Sequence, residues 1–167
     1  YGGWAASGEI DLMEIVGEQP HEVLNSLHFG SSYPRRSLIT TTHRLPGGST
    51  VSDWHTYAVE WEPGEIRFFV DAVQTCTYRH WWSCSRLEEG QGVEAASEAD
   101  LNPWPAPFDQ PFYLLMNVAV GGNFPGHPDE HTRFPAELVV DWVRVYQHKA
   151  TAEVKPGPLP IFERVPW

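Results

Sequence analysis

The sequence predicts an all-β domain, and three observations predict it. Short apolar stretches alternate with polar residues at period two, and fourteen glycines and fifteen prolines break the chain at short intervals. Eight tryptophans and an aromatic share of 13%, against 20% charged residues, suit strands around a ring-lined groove better than a helical bundle. No long amphipathic helix is visible. At 167 residues the chain is one domain by length, large enough for a proper core.

Charge and composition narrow the partners. A formal charge of −11 argues against nucleic acid and against an anionic membrane surface, because both need clustered Lys and Arg that are lacking here. A neutral partner fits better. No apolar run reaches the length of a membrane span, and no basic-then-apolar signal segment opens the sequence. Cys76 and Cys84 can close a local disulfide loop in an oxidising compartment or remain free thiols; two thiols alone make a poor zinc site.

Residues 1–8 form a small-residue loop whose one large side chain is Trp4. The next stretch, Glu9-Ile10-Asp11-Leu12-Met13-Glu14, sets three carboxylates among strand-forming apolar residues. Glu9 and Asp11 are two apart and share a face. Glu14 is five from Glu9, so strict alternation turns it to the opposite face unless a β-bulge around Leu12-Met13 takes up one extra residue. The alternative is a salt-bridged edge strand whose Glu14 faces away.

A turn at residues 17–20 leads to a second strand at 22–29, with Val23, Asn25, Leu27 and Phe29 on one face and Leu24, Ser26 and His28 on the other. Residues 31–53 read as a long polar loop with one short strand at 37–42. Residues 54–70 make a hairpin turning at Pro63-Gly64, and Asp71-Ala72 turns the chain into a third strand at 73–78. Residues 85–110 are acidic and poor in large apolar side chains, so they read as a loop outside the core, with Trp104 on a lid or groove wall. Strongly apolar strands are expected at 112–120 and 137–147. Residues 148–167 read as a Pro-rich tail or linker, which leaves 1–147 as the folded domain.

Several separated stretches agree with one family. The Glu9 to Glu14 stretch resembles the Glu-x-Asp-x-x-Glu signature of glycoside hydrolase family 16. His55 to Trp61 with Ile66 to Asp71 resembles the family's central hairpin. Pro107 to Asn117, with Val120-Gly121-Gly122-Asn123, resembles its laminarinase branch, and Val140 to Tyr146 its closing strand. The resemblance implies a concanavalin A-like jelly-roll sandwich of two curved antiparallel sheets with a groove across the concave face. Family members carry several strands before the signature, so the expectation is the C-terminal part of a catalytic domain, with incomplete sheets.

The resemblance also implies chemistry. It makes the chain an endo-acting retaining hydrolase of β-1,3-glucan, with Glu9 as nucleophile, Glu14 as acid/base and Asp11 positioning Glu9. The partner is then a neutral β-glucan, and the enzyme is expected to be secreted, monomeric and independent of any cofactor. An agarase or carrageenase, a non-catalytic β-glucan-binding protein and an inactive fragment are the alternatives. Trp4, Trp82 and Trp104, in loops, are the candidates for stacking on sugar rings, while Trp61 and Trp142, within strands, read as core. His28 resembles a groove position but also fits a satisfied buried histidine. Asn117 interrupts an apolar strand and must find partners in the groove or in neighbouring backbone. Asp141 matches a position that helps hold a structural calcium in many family members.

Overall fold

The structure is a computed structural model that describes residues 1–33, 35–85 and 98–148. It divides into two compact units, Tyr1–Gln110 and Pro111–Trp167. The described residues of the first unit hold six strands in two antiparallel sheets. One sheet runs β1 (Glu9–Glu14), β2 (Glu22–Gly30), β3 (Arg36–Arg44); the other runs β4 (Tyr57–Glu62), β5 (Glu65–Val70), β6 (Val73–Tyr78). Helix among the described residues is limited to two short 3₁₀ turns, at Pro46–Gly48 and Glu98–Asp100. None is long and apolar enough to cross a membrane.

Local chemistry explains the second sheet. Glu62 pairs with Glu65 across Pro63-Gly64, and Gly64 takes φ +84°, which a side chain would disfavour. The β5–β6 turn places both Asp71 and Ala72 at positive φ, the requirement of the two-residue hairpin whose twist matches its strands. Asp71 is fixed there because its carboxylate accepts from the Thr56 amide at 2.9 Å and contacts His55 Nδ1 at 2.7 Å.

The two sheets of this unit pack through alternate residues. Val23, Leu27 and Phe29 of β2 and Ile66, Phe68 and Val70 of β5 are buried, and Val23, Val70 and Leu45 gather Met13, Val51 and Tyr57 around them. Between them sits a buried polar link. Asn25 of β2 accepts from the Thr75 hydroxyl of β6 at 2.7 Å, and the Tyr78 hydroxyl donates to the Asn25 carbonyl at 3.0 Å. Each group is satisfied, so the link costs little and fixes how β2 meets β6.

Three features depart from the sequence reading within this unit. The expected short strand at 37–42 is the nine-residue β3, paired with β2 from Glu22 opposite Arg44 to Gly30 opposite Arg36. Its threonine-rich run is polar on both faces and so looks like loop, yet β-branched residues suit a strand that is only half-buried. The stretch before Gln110 enters the core: Ala106, Pro107 and Phe108 are buried, and Phe108 meets Trp81 edge-on at 5.1 Å. Trp61, expected in the core, is 39% exposed; its indole instead donates to the Phe108 carbonyl at 2.8 Å.

The second unit corrects the reading more strongly. Neither 112–120 nor 137–147 forms a strand, and apart from the half-buried Phe112 both segments are exposed along their length. Trp142, also expected in the core, is 47% exposed, with the Arg144 guanidinium 4.5 Å over its ring. Apolar alternation makes a segment suitable for a sheet, but a strand exists only where a neighbour takes its amides and carbonyls, and no ladder forms among the described residues of this unit. Residues 86–97 of the expected loop and 149–167 of the expected tail lie outside the described residues.

Candidate active site

The site is built on one irregularity in β1. Glu9, Ile10 and Asp11 pair regularly with His28, Leu27 and Ser26, but the next pair is Glu14 with Leu24. Three steps along β1 therefore match two along β2, which is a β-bulge at Leu12-Met13. The extra residue restores parity. Glu9, Asp11 and Glu14 lie opposite His28, Ser26 and Leu24, the face of β2 turned away from the core. Met13 drops into the core beside Val23, and the Leu12 carbonyl accepts from Asn25 Nδ2 at 2.8 Å.

Side chains then converge. Glu9, Asp11 and His28 each place one oxygen or nitrogen within 4.8 Å of the others. Trp4, in the preceding loop, donates its indole N–H to Glu9 Oε2. Its ring lies 5.3 Å from His28 and stacks near Tyr33 at 6.4 Å, with Arg36 5.2 Å over its face. Arg36 Nη1 is 3.1 Å from His28 Nδ1. A guanidinium can only donate, so Nδ1 accepts and the ring proton stands on Nε2, 3.2 Å from Asp11 Oδ2. That contact has the distance of an ion pair without hydrogen-bond geometry, which leaves Asp11 Oδ2 buried and without a hydrogen-bond partner.

Glu14 is held separately. Ser26 donates to Glu14 Oε2 at 2.9 Å, and Thr40 lies 3.0 Å from the same hydroxyl. Ser26 has one proton, so when it serves Glu14 the Thr40 hydroxyl donates to Ser26. Burial raises the Glu14 pKa, the charge of Asp11 raises it further, and the Ser26 hydrogen bond acts in the opposite direction. Asp11 is raised too, first by burial and then by Glu9, with His28 opposing. The arrangement places Glu14, whose pKa is raised, on the same strand face as Glu9. A set of that kind can protonate a leaving oxygen and attack carbon in one step.

The remaining sequence candidates are placed differently. Trp82 packs on Gly30 at the end of β2, where Gly30 takes φ +103° and a Cβ would sit 3.1 Å from the indole; the Gly30 amide donates to the Trp82 carbonyl at 3.0 Å. Only glycine lets that ring approach so closely. Trp104 stacks on Trp81 at 4.7 Å and covers Gly64 at the β4–β5 turn, so it braces that hairpin with 54% of its surface open. Asn117 belongs to the second unit, exposed, in an open cleft with Met116, Val118, Leu138 and Val140. Asp141 is exposed in the same unit and joins no group of three acidic, His or Cys ligands among the described residues. Cys76 and Cys84 are free thiols.

Comparison with known proteins accounts for this geometry. Residues 2–84 match the model of glycosyl hydrolases family 16. The chain is 40% identical over 153 residues to a glucan endo-1,3-beta-glucosidase A1 of Niallia circulans, and 42% identical over 149 residues to a beta-glucanase of Rhodothermus marinus. The chain belongs to glycosyl hydrolase family 16. Among solved structures, the laminarinase catalytic domain of Thermotoga maritima superposes with a TM-score of 0.57 at 32% identity, over 79% of this chain and 47% of that one. The two alignments with curated relatives cover 89% and 86% of this chain but only 20% and 46% of the relatives' lengths. Two of the four sequence stretches that resembled this family, the acidic signature and the central hairpin, are β1 and the β4–β5 pair of the sandwich; the other two form no strand.

Three residues around the acidic cluster escaped the sequence reading as functional groups. Ser26 serves Glu14, Arg36 sets the tautomer of His28, and Asn25 holds the bulge. A signal was present for two of them: Asn25 and Ser26 are adjacent polar residues between the apolar Val23-Leu24 and Leu27 of one strand, and a buried polar group needs a partner.

Proposed function

We propose that this chain carries the catalytic carboxylates of an endo-acting, retaining β-1,3-glucan hydrolase. The observation that carries the reading is the bulge that returns Glu14 to the face of Glu9 and Asp11. In the first step Glu9 attacks the anomeric carbon, the glycosidic C–O bond breaks, and the Glu14 proton goes to the departing oxygen. The negative charge of Glu9 is then lost in the ester, and Glu14, now a carboxylate, takes a proton from water. The water oxygen attacks the same carbon, the ester bond breaks, and Glu9 is regenerated with retained configuration. The charge of an ionised Asp11 raises the Glu14 pKa and so favours the protonated form of Glu14 before the first step.

Support for the substrate comes from the relatives and from charge. The curated relatives above include a glucan endo-1,3-beta-glucosidase, and a chain of net charge −11 suits a neutral glucan better than a sulfated galactan. Trp4, beside Glu9 and 37% exposed, offers a ring face for a sugar. A polymer of that size does not enter cells, so the same reading implies a secreted enzyme. The test is an assay of the full chain and of Glu9→Gln on laminarin, mixed-linkage glucan, xyloglucan and agarose. Loss of laminarin hydrolysis in Glu9→Gln, with retained anomeric configuration in the wild type, is the expected result. Equal activity in both proteins removes Glu9 from the mechanism, and cleavage of agarose alone removes the substrate.

A further inference from the structure

We propose that Asn25 is a positioning residue for this double displacement, whose carboxamide locks the β1 bulge so that Glu14 stays on the face of Glu9; the inference rests on the functional reading above. Leu12 and Met13 are the two residues of β1 without a register partner, so the sheet itself does not hold them. Asn25 stands where Leu12 would pair in an uninterrupted ladder. Its side chain supplies what the ladder does not, with Nδ2 donating to the Leu12 carbonyl at 2.8 Å. The carboxamide is completely buried, and its orientation is forced, because a carbonyl oxygen can only accept and the Thr75 hydroxyl donates to Oδ1 at 2.7 Å.

The link reaches from β6 through β2 to the acidic strand. Thr75 fixes Asn25, Asn25 fixes Leu12, and Leu12 sits one residue from Asp11 and two from Glu14. The Tyr78 hydroxyl anchors the Asn25 backbone to the same strand. Parity makes the position of Glu14 all-or-none: a slip of one residue that absorbs the bulge turns Glu14 toward the core. Glu9 is insulated from that slip, since it pairs with His28 in the regular part of the ladder. Asn25 therefore acts on the acid/base and leaves the nucleophile in place.

The test uses the full chain with Asn25→Leu, which keeps the volume and removes the polar atoms, and Thr75→Val, which removes only the far donor. Three readouts are compared with wild type: kcat and KM on laminarin, the dinitrophenolate burst from a dinitrophenyl β-laminaribioside, and the NMR titration of the Glu14 carboxyl. That leaving group departs without a proton, so its burst reports Glu9 alone. The expected result for Asn25→Leu is a kcat on laminarin lower by about tenfold or more with KM little changed, a burst rate close to wild type, and a Glu14 pKa moved further up, because a Glu14 turned toward the core is more deeply buried and loses the Ser26 hydrogen bond. Thr75→Val should show the same pattern at smaller size. Parallel loss of burst and laminarin rates, or an unchanged Glu14 titration, overturns the proposal. If wild type does not cleave laminarin, the functional reading fails while the titration still decides the role of Asn25. If Asn25→Leu does not fold, Thr75→Val decides, and wild-type kcat and titration in that variant overturn the proposal.

Discussion

Replacing Ser26 with alanine should move the alkaline limb of kcat/KM to higher pH. The hydroxyl lost in Ser26→Ala donates to Glu14 Oε2 at 2.9 Å from a fully buried residue. That bond favours the ionised carboxylate, and it opposes the burial and the Asp11 charge that raise the Glu14 pKa. A hydrogen bond to a charged group is worth about 1.5–3 kcal/mol in net terms. Glu14 is only half-buried, so solvent screening and a water replacing the hydroxyl bring the differential to about 1 kcal/mol. Proton affinity then rises about fivefold, and the limb moves up by about 0.7 of a pH unit. The sign follows from the mechanism: the first step needs Glu14 protonated, and the variant keeps its proton to higher pH. The assay is kcat/KM on laminarin across the full pH range for both proteins, with Thr40→Val as an intermediate case. An alkaline limb that stays in place, or moves to lower pH, refutes the assignment of Glu14 as the proton donor held by Ser26.

Two further predictions concern stability. The Asp11 carboxyl has a raised pKa in the folded state, chiefly through burial, so the fold binds its proton more tightly than the unfolded chain does. Its contribution is most favourable in acid and is lost as pH rises from the unfolded value through the folded one; Asp11→Asn should therefore melt above wild type at neutral pH and converge with it in acid. Thermal unfolding against pH checks this, and a pH-independent difference counts against it. Phe68 is fully buried in β5 and meets Tyr78 edge-on at 5.8 Å, so Phe68→Ala should cost about 3–5 kcal/mol in urea unfolding. A loss below about 1 kcal/mol would mean that the sandwich core lies elsewhere.

The acidic strand was legible in sequence because a strand has only two faces. Five residues from Glu9 to Glu14 is an odd number, and an odd number with both groups in one site requires one extra residue; the bulge lies at Leu12-Met13. The β4–β5 hairpin and β6 were legible because Pro63-Gly64 and Asp71-Ala72 are turn pairs between alternating runs. β3 was only partly legible, since its threonines carry no hydrophobic stripe. The role of 101–110 was hidden because burial of Phe108 depends on Trp81 and Trp61, which the chain brings back from more than twenty residues away.

Sequence by itself determined the all-β class, the short-turn meander, and the clustering of acidic groups on one strand, because period, turn residues and charge are local properties. Tertiary structure decided what holds that chemistry in place. The Leu12 carbonyl finds its donor on Asn25, whose own partner is Thr75, and Glu14 finds Ser26 backed by Thr40; each contact joins residues a dozen or more positions apart. It also decided that residues 112–120 and 137–147, apolar and alternating as they are, form no strand in the second unit, since hydrogen bonds to a neighbour, not the segment's own composition, make a sheet.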